Sequence, residues 1–100
     1  MRTFKLMPDY HCFPLWENAS GAAANVDPAS LPVPVDLILR LNSWAAKFDE
    51  TLNLDDPIKS GFNSEPLEQA FLDEGRHLCI ALRAQLGDGY LVTYEGGESD

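Results

Sequence analysis

Two stripes of apolar residues at helical spacing fill the second half of the chain, and they constrain its fold more than any other feature. The first stripe runs through Ile38, Leu41, Ala45, Phe48 and Leu52, widened by Leu37 and Trp44, while Arg40, Lys47 and Glu50 lie off it. Pro34 suits a first helical turn, where its missing N–H costs nothing, and Asp36 complements the positive end of the dipole. The spacing therefore predicts a helix that starts at Pro34 and fades at Asn53-Leu54-Asp55-Asp56-Pro57. The second stripe runs through Leu67, Phe71, Leu78, Leu82 and Leu86, with Ser64 as N-cap, Glu65, Pro66 and Glu68 in the first turn and Gly87 as the stop. Gly75 occupies the vacant place between Phe71 and Leu78. Glycine in a helix costs about 1 kcal/mol relative to alanine, so its use here points to close approach by the first helix or by the aromatic segment near the N-terminus. Two such helices joined by a connection form an antiparallel hairpin, and each still needs an apolar surface to cover.

That surface comes from the ends of the chain. Arg2 to Leu6 alternates, with Phe4 and Leu6 on one side and Thr3 and Lys5 on the other, and Tyr90 to Tyr94 places Tyr90, Val92 and Tyr94 opposite Leu91 and Thr93. Between the first strand and the first helix, Tyr10 to Trp16 is aromatic without a clean period, and Pro14 bars it from a central strand. Residues 17–33 read as a long loop because of Ser20-Gly21, Asp27-Pro28 and Pro32. The expected architecture is α+β: a β-α-α-β order, with the antiparallel helix hairpin packed on a two- or three-stranded sheet whose terminal strands are neighbours of either polarity. A third strand would come from the aromatic segment, or a partner would pair with an open edge. A chain of 100 residues supports one core. Residues 1–95 are expected to form a single domain and 96–100 a disordered tail.

Charge narrows the function. Seven basic residues against sixteen acidic ones give a net charge of −9, which opposes direct binding to nucleic acid or to an anionic membrane surface and favours a basic partner. No apolar run approaches the ~20 residues of a membrane span or the pattern of an export signal, and two cysteines make no disulfide framework, so a cytoplasmic protein is expected.

Catalytic and metal-binding patterns are weak. His11, Cys12, His77 and Cys79 are the imidazole and thiol groups available. On the second helix His77 and Cys79 point about 200° apart and do not converge on one ion, so no metal or cofactor is expected. His11 beside Cys12 is adjacent in sequence only, which does not make a nucleophile and its base. The pairs Asp49-Glu50, Asp55-Asp56 and Asp73-Glu74 are neighbours along the chain and lack the separation across a cleft that acid–base catalysis needs.

What remains is where the acids fall. Asp49 and Glu50 close the first helix, Asp55 and Asp56 lie in the connection, and Glu65, Glu68, Asp73 and Glu74 decorate the second helix, with Lys47 and Lys59 the only interruptions. The tip of the hairpin should carry a concentrated negative field, either a solubilising surface or a steering field for a cationic partner anchored by Trp16 or Phe62.

The segments Met7-Pro8-Asp9-Tyr10-His11-Cys12-Phe13-Pro14-Leu15-Trp16, Asp27-Pro28-Ala29-Ser30-Leu31-Pro32, and Asp55-Asp56-Pro57 with Ser60-Gly61-Phe62 resemble a group of small acidic bacterial proteins. These are immunity proteins of contact-dependent growth inhibition systems, the CdiI-like type. The resemblance spans most of the chain and its motifs carry no catalytic content. It implies a cytoplasmic protein that binds the toxic C-terminal domain of an effector, commonly a basic nuclease, and blocks its active site or substrate surface. The resemblance assigns no interface residues. The charge argument alone names Asp49, Glu50, Asp55, Asp56, Glu65, Phe62 and Trp16 as toxin-binding, on a protein that is a monomer or weak homodimer when free. Two other readings stay open: a small non-catalytic interaction module or homodimer formed through an edge strand, and a small enzyme using His11 or Cys12.

Overall fold

The computed structural model describes residues 2–19, 21–51, 61 and 64–95. Strand β1 (Arg2–Leu6) is followed by β2 (Leu15–Ala19), β3 (Ala22–Val26), a 3-10 turn at Pro28–Ser30, helix α1 (Val35–Asp49), helix α2 (Glu65–Leu86), a second 3-10 turn at Gly87–Gly89 and strand β4 (Tyr90–Tyr94). The strands form one sheet in the order β3-β2-β1-β4. β1 is antiparallel to β2 and parallel to β4, and β2 is antiparallel to β3.

The fold is α+β, as expected, and the terminal strands are neighbours, here parallel, with Arg2 opposite Tyr90 and Leu6 opposite Tyr94. The β-α-α-β order and the two- or three-stranded sheet are corrected to β-β-β-α-α-β and four strands. The extra strands come from the end of the aromatic segment and from the stretch 17–33 that reads as a loop. Alanine is a poor strand former and Ala22-Ala23-Ala24 shows no alternation, so nothing local marks β3. A tight connection through Gly21, at φ +79°, returns the chain beside β2, and register does the rest, from Ala19 opposite Ala22 to Leu15 opposite Val26. The tail 96–100, and Leu52 of the first stripe, lie outside the described residues.

Both helices pack on one face of the sheet. Phe4, Leu6, Leu15 and Val92 from the strands meet Leu37, Leu41 and Trp44 of α1 and Phe71, Leu78, Cys79 and Leu82 of α2 in one buried cluster, with Leu31 at its margin. Pro34 is the N-cap of α1 and lies just outside the helix, while Ser64 caps α2 by accepting a hydrogen bond from the Leu67 N–H at 3.3 Å. Leu67, expected in the second stripe, is exposed: it sits in the first turn of α2, before that helix reaches the aromatic residues of α1.

Gly75 is where three elements meet. Trp44, 1% exposed, stacks on Phe71 with ring centres 4.6 Å apart, and its Nε1–H donates to the Phe71 carbonyl at 2.9 Å. From β4, the Tyr94 hydroxyl donates to the Leu72 carbonyl at 3.0 Å. A Cβ at position 75 would stand 2.6 Å from Trp44 Cζ2 and would overlap the Tyr94 hydroxyl. The close approach expected from the sequence is thus made by α1, and by β4 in place of the aromatic segment.

The two edges of the sheet differ. At β4, the Val92 carbonyl points outward and accepts from Arg83 Nε at 2.8 Å, with the buried Cys79 thiol 3.9 Å away. β3 lies with both faces exposed along Ala22 to Asn25, and Val26 is half-buried.

Gly75→Ala would gain about 1 kcal/mol from helix propensity alone. The overlap with Trp44 and Tyr94 reverses that sign, so we expect a loss of about 1–3 kcal/mol in urea denaturation, and a stabilised variant would refute the close approach.

Candidate functional site

The connection between β1 and β2 is an irregular segment held at nearly every residue. The Met7 N–H donates to the Pro14 carbonyl at 2.9 Å, which extends the β1–β2 ladder past the strand ends. Trp16 Nε1 returns to the Met7 carbonyl at 3.1 Å. At the turn, Asp9 Oδ1 accepts from the Tyr10 N–H at 2.8 Å, and His11 takes a left-handed conformation with φ +60°, uncommon for a residue with a side chain.

Two residues far away in sequence fix the other half of this loop. The Asn25 side chain accepts from the Phe13 N–H at 2.9 Å and donates to the Phe13 carbonyl at 2.7 Å and to the Leu15 carbonyl at 3.1 Å. One amide thereby serves as the strand neighbour that β3 no longer supplies. Asp49, in the last turn of α1, accepts from the His11 N–H at 2.9 Å through Oδ1. Tyr10 stacks on Phe48 with ring centres 4.5 Å apart, and its hydroxyl lies 3.2 Å from Thr51 Oγ1. The Thr51 hydroxyl proton is committed to the Phe48 carbonyl at 2.6 Å, so Tyr10 is the donor of that pair.

The loop therefore docks on the C-terminal end of α1. Phe48 also meets Phe71 of α2 at 5.9 Å, and the Gly61 N–H reaches the Thr51 carbonyl at 2.9 Å, so the start of α2 belongs to the same end of the molecule. Glu95 joins it from β4, its N–H bound to the Leu6 carbonyl at 2.9 Å and its carboxylate 3.2 Å from Lys5 Nζ. His11 and Phe13 of the loop are exposed, the latter 41% accessible, as are Asp9 and Glu50, while Asp49, bound to the His11 N–H, is half-buried.

Of the residues named from charge, Asp49 is tied to this loop through His11, Glu50 is the exposed C-cap of α1, and Glu65 is exposed in the first turn of α2. Trp16 lies on the face of the sheet away from the helices, half-buried, opposite Lys5 in the register. Asp55, Asp56 and Phe62 lie outside the described residues. Sequence reasoning missed Asp9, Phe13 and Asn25. Asn25 leaves no local signal, because its partners are twelve and ten residues away and meet it only through the hairpin register. Lys47, one of the two cations expected at the tip, lines an open cleft of about 280 Å³ between the helices with Arg40, Ser43, Trp44 and Glu74, where Arg40 pairs with Glu74 at 3.4 Å.

The groups considered for catalysis and metal binding are dispersed. His77 is exposed and Cys79 buried on opposite sides of α2, and burial pushes the Cys79 thiol pKa up, away from the reactive thiolate. Among the described residues no three His, Cys, Asp or Glu side chains are grouped to hold a metal ion. Among the described residues, a strongly perturbed ion pair lies away from the acidic end: Glu17 accepts two hydrogen bonds from Arg2, both 2.9 Å, and Arg2 also stands over the rings of Phe4 and Tyr90 at 5.0 and 5.9 Å. These hydrogen bonds hold the Glu17 carboxyl below its ordinary range and push the Arg2 guanidinium further up.

A family model described as Serratia CdiI immunity protein-like matches residues 2–96. The chain belongs to that family. A search among curated proteins finds no match. The match covers every strand and helix described above, the loop from Met7 to Pro14 included, and membership suggests a protein that neutralises a cognate toxin. Among the described residues no helix is long and apolar enough to cross a membrane.

Asn25→Ala removes both partners of the Phe13 backbone. Because that backbone is near solvent, the expected loss is about 1 kcal/mol in denaturation, with amide exchange at Phe13 accelerating well before global unfolding. Glu17 supplies a pH test. A carboxyl with a depressed folded pKa contributes stability above its ordinary 4.5, and that contribution is lost as pH falls through the folded value. In an NMR titration Glu17 should protonate below the ordinary glutamate value of 4.5, and Arg2→Ala should return it toward that value.

Proposed function

We propose that the protein binds and neutralises a basic toxin domain, the C-terminal nuclease of a contact-dependent inhibition effector, in the cytoplasm and without chemistry of its own. Family membership supports a toxin as the partner. The basic character of that partner is inferred from the net charge of −9.

The observation that carries the reading is the Asp49–His11 link, which joins the acidic end of α1 to a loop displaying an exposed phenylalanine. An acidic rim around an aromatic anchor is the arrangement that captures a cationic surface quickly and then holds it. Asp49, Glu50, Asp55, Asp56 and Glu65 form the rim in this reading. Phe62 and Trp16 act as anchors, and Phe13 joins them. The carboxylates stand where the phosphates of a nucleic-acid substrate would sit on the toxin, so inhibition is steric and electrostatic. Because the loop is already held by Asn25, Asp49 and Thr51, little conformational entropy is lost on binding. The free protein is a monomer in this reading, since copies of charge −9 repel one another.

The test is the association kinetics with the toxic C-terminal domain of a contact-dependent inhibition effector, taken from the gene next to this protein's own where that gene encodes one. The association rate should fall about tenfold or more between 50 and 500 mM salt. Asp55→Asn with Asp56→Asn, and separately Glu50→Gln with Glu65→Gln, should each slow association severalfold at low salt while leaving the melting temperature within a few degrees. Failure of the wild-type pair to form a complex would remove the reading, and unchanged rates in both variants would move the interface to another surface.

A further inference from the structure

The sheet ends in two unlike edges, and their hydrogen-bond parity can be worked out from the contacts. The Met7 N–H bonds to the Pro14 carbonyl, so Pro14 and Trp16 direct their backbone groups toward β1, while Leu15 and Glu17 direct theirs toward β3. Their partners Val26 and Ala24 face back. The backbone N–H and C=O groups of Ala23 and Asn25 therefore point out of the sheet.

The far edge of the sheet differs. The Glu95 N–H bonds to the Leu6 carbonyl, so Thr93 and Glu95 face β1 and Val92 faces outward. That outward carbonyl is occupied by Arg83 from α2. Edge strands in monomeric proteins are commonly blunted by a lysine, a proline, a bulge or a covering element. β4 is covered in this way, whereas β3 carries no charge, no proline and no side chain larger than asparagine or valine, and it is exposed on both faces from Ala22 to Asn25.

We infer that β3 is a docking edge for an extended strand of the toxin domain, which completes a five-stranded sheet in the complex. This rests on the proposed function. Two observations select that occupant over a second copy of the chain. A five-residue ladder is about 17 Å long. Paired with its own alanines it covers roughly a few hundred Å², well short of the about 1,200 Å² at which specific complexes begin. Copies of charge −9 also repel, while a basic partner is attracted. A toxin strand meets neither limit, because the acidic end supplies a second contact, and Asn25 ties the edge to the loop that carries Phe13. The alanines leave room on both faces, so the incoming strand is one with bulky side chains at successive positions, which lean across Ala23 toward Asn18 on one face and across Ala24 toward Glu17 on the other.

Ala23→Pro tests this directly, because it deletes an outward N–H and leaves the β2–β3 ladder intact. With the effector's C-terminal domain as probe, the variant should dissociate at least about tenfold faster, with its association rate and melting temperature close to wild type. A second readout needs no substitution: the Ala23 and Asn25 amides of the wild-type protein should become protected from hydrogen exchange in the complex. Wild-type binding with unchanged Ala23→Pro kinetics and no added protection overturns the docking edge and spares the immunity reading. Absence of any wild-type complex overturns that reading itself. Concentration-dependent dimerisation of the free protein, abolished by Ala23→Pro, would show that a second copy occupies the edge and would also overturn the inference.

Discussion

The contact of Trp44 with the bare backbone at Gly75 holds the two layers together. In a helix, the side chain four residues on stands beside a given carbonyl, so the missing Cβ at 75 uncovers the Phe71 carbonyl and lets the indole N–H reach it. The hydrogen bond matters because the indole is fully buried, where an unpaired N–H costs about 1–3 kcal/mol. Tyr94 uses the same opening from the sheet side. α1, α2 and β4 are thereby fixed relative to one another at one point, and the end of α1 is delivered to the β1–β2 loop with Phe48 facing both Tyr10 and Phe71.

Legibility in the sequence followed the size of the apolar signal. The helices were readable because Leu41, Trp44, Leu78 and Leu82 recur at helical steps and are buried in the structure. Ser64 and Gly87 mark the ends of α2 as their chemistry requires, and β1 and β4 alternate cleanly. The β2–β3 hairpin was hidden for the opposite reason. Its alanines bury little, its residues at 22–25 face water on both sides, and the register that defines it is a property of the pair and not of either segment. The acidic end was half readable. Charge drew attention to Asp49, but the loop that meets it is assembled by Asn25 and Asp49 across 12 and 38 residues, which no local pattern encodes.

The two kinds of polar contact in the protein differ in purpose. Arg2 with Glu17 is an exposed, bidentate pair beside aromatic rings that joins adjacent strands, and similar pairs elsewhere contribute modestly. The contacts around the loop from Met7 to Pro14 instead use single side chains to satisfy backbone groups of a segment with no regular structure. An irregular segment secured in this way keeps one shape on the surface without regular secondary structure.

The parallel pairing of β1 with β4 has a consequence in time. β1 lies inside the sheet, yet one of its neighbours is the last strand of the chain, so the pairing of Arg2 with Tyr90 joins residues separated by nearly the whole sequence. Contacts of such long separation form slowly, because the intervening chain must be ordered before they stabilise anything. On the ribosome β1 has no complete sheet to enter until residue 94 has left the exit tunnel. Completion of the sheet therefore waits on β4, and the edge of β1 that meets β4 stays unpaired until that strand is in place.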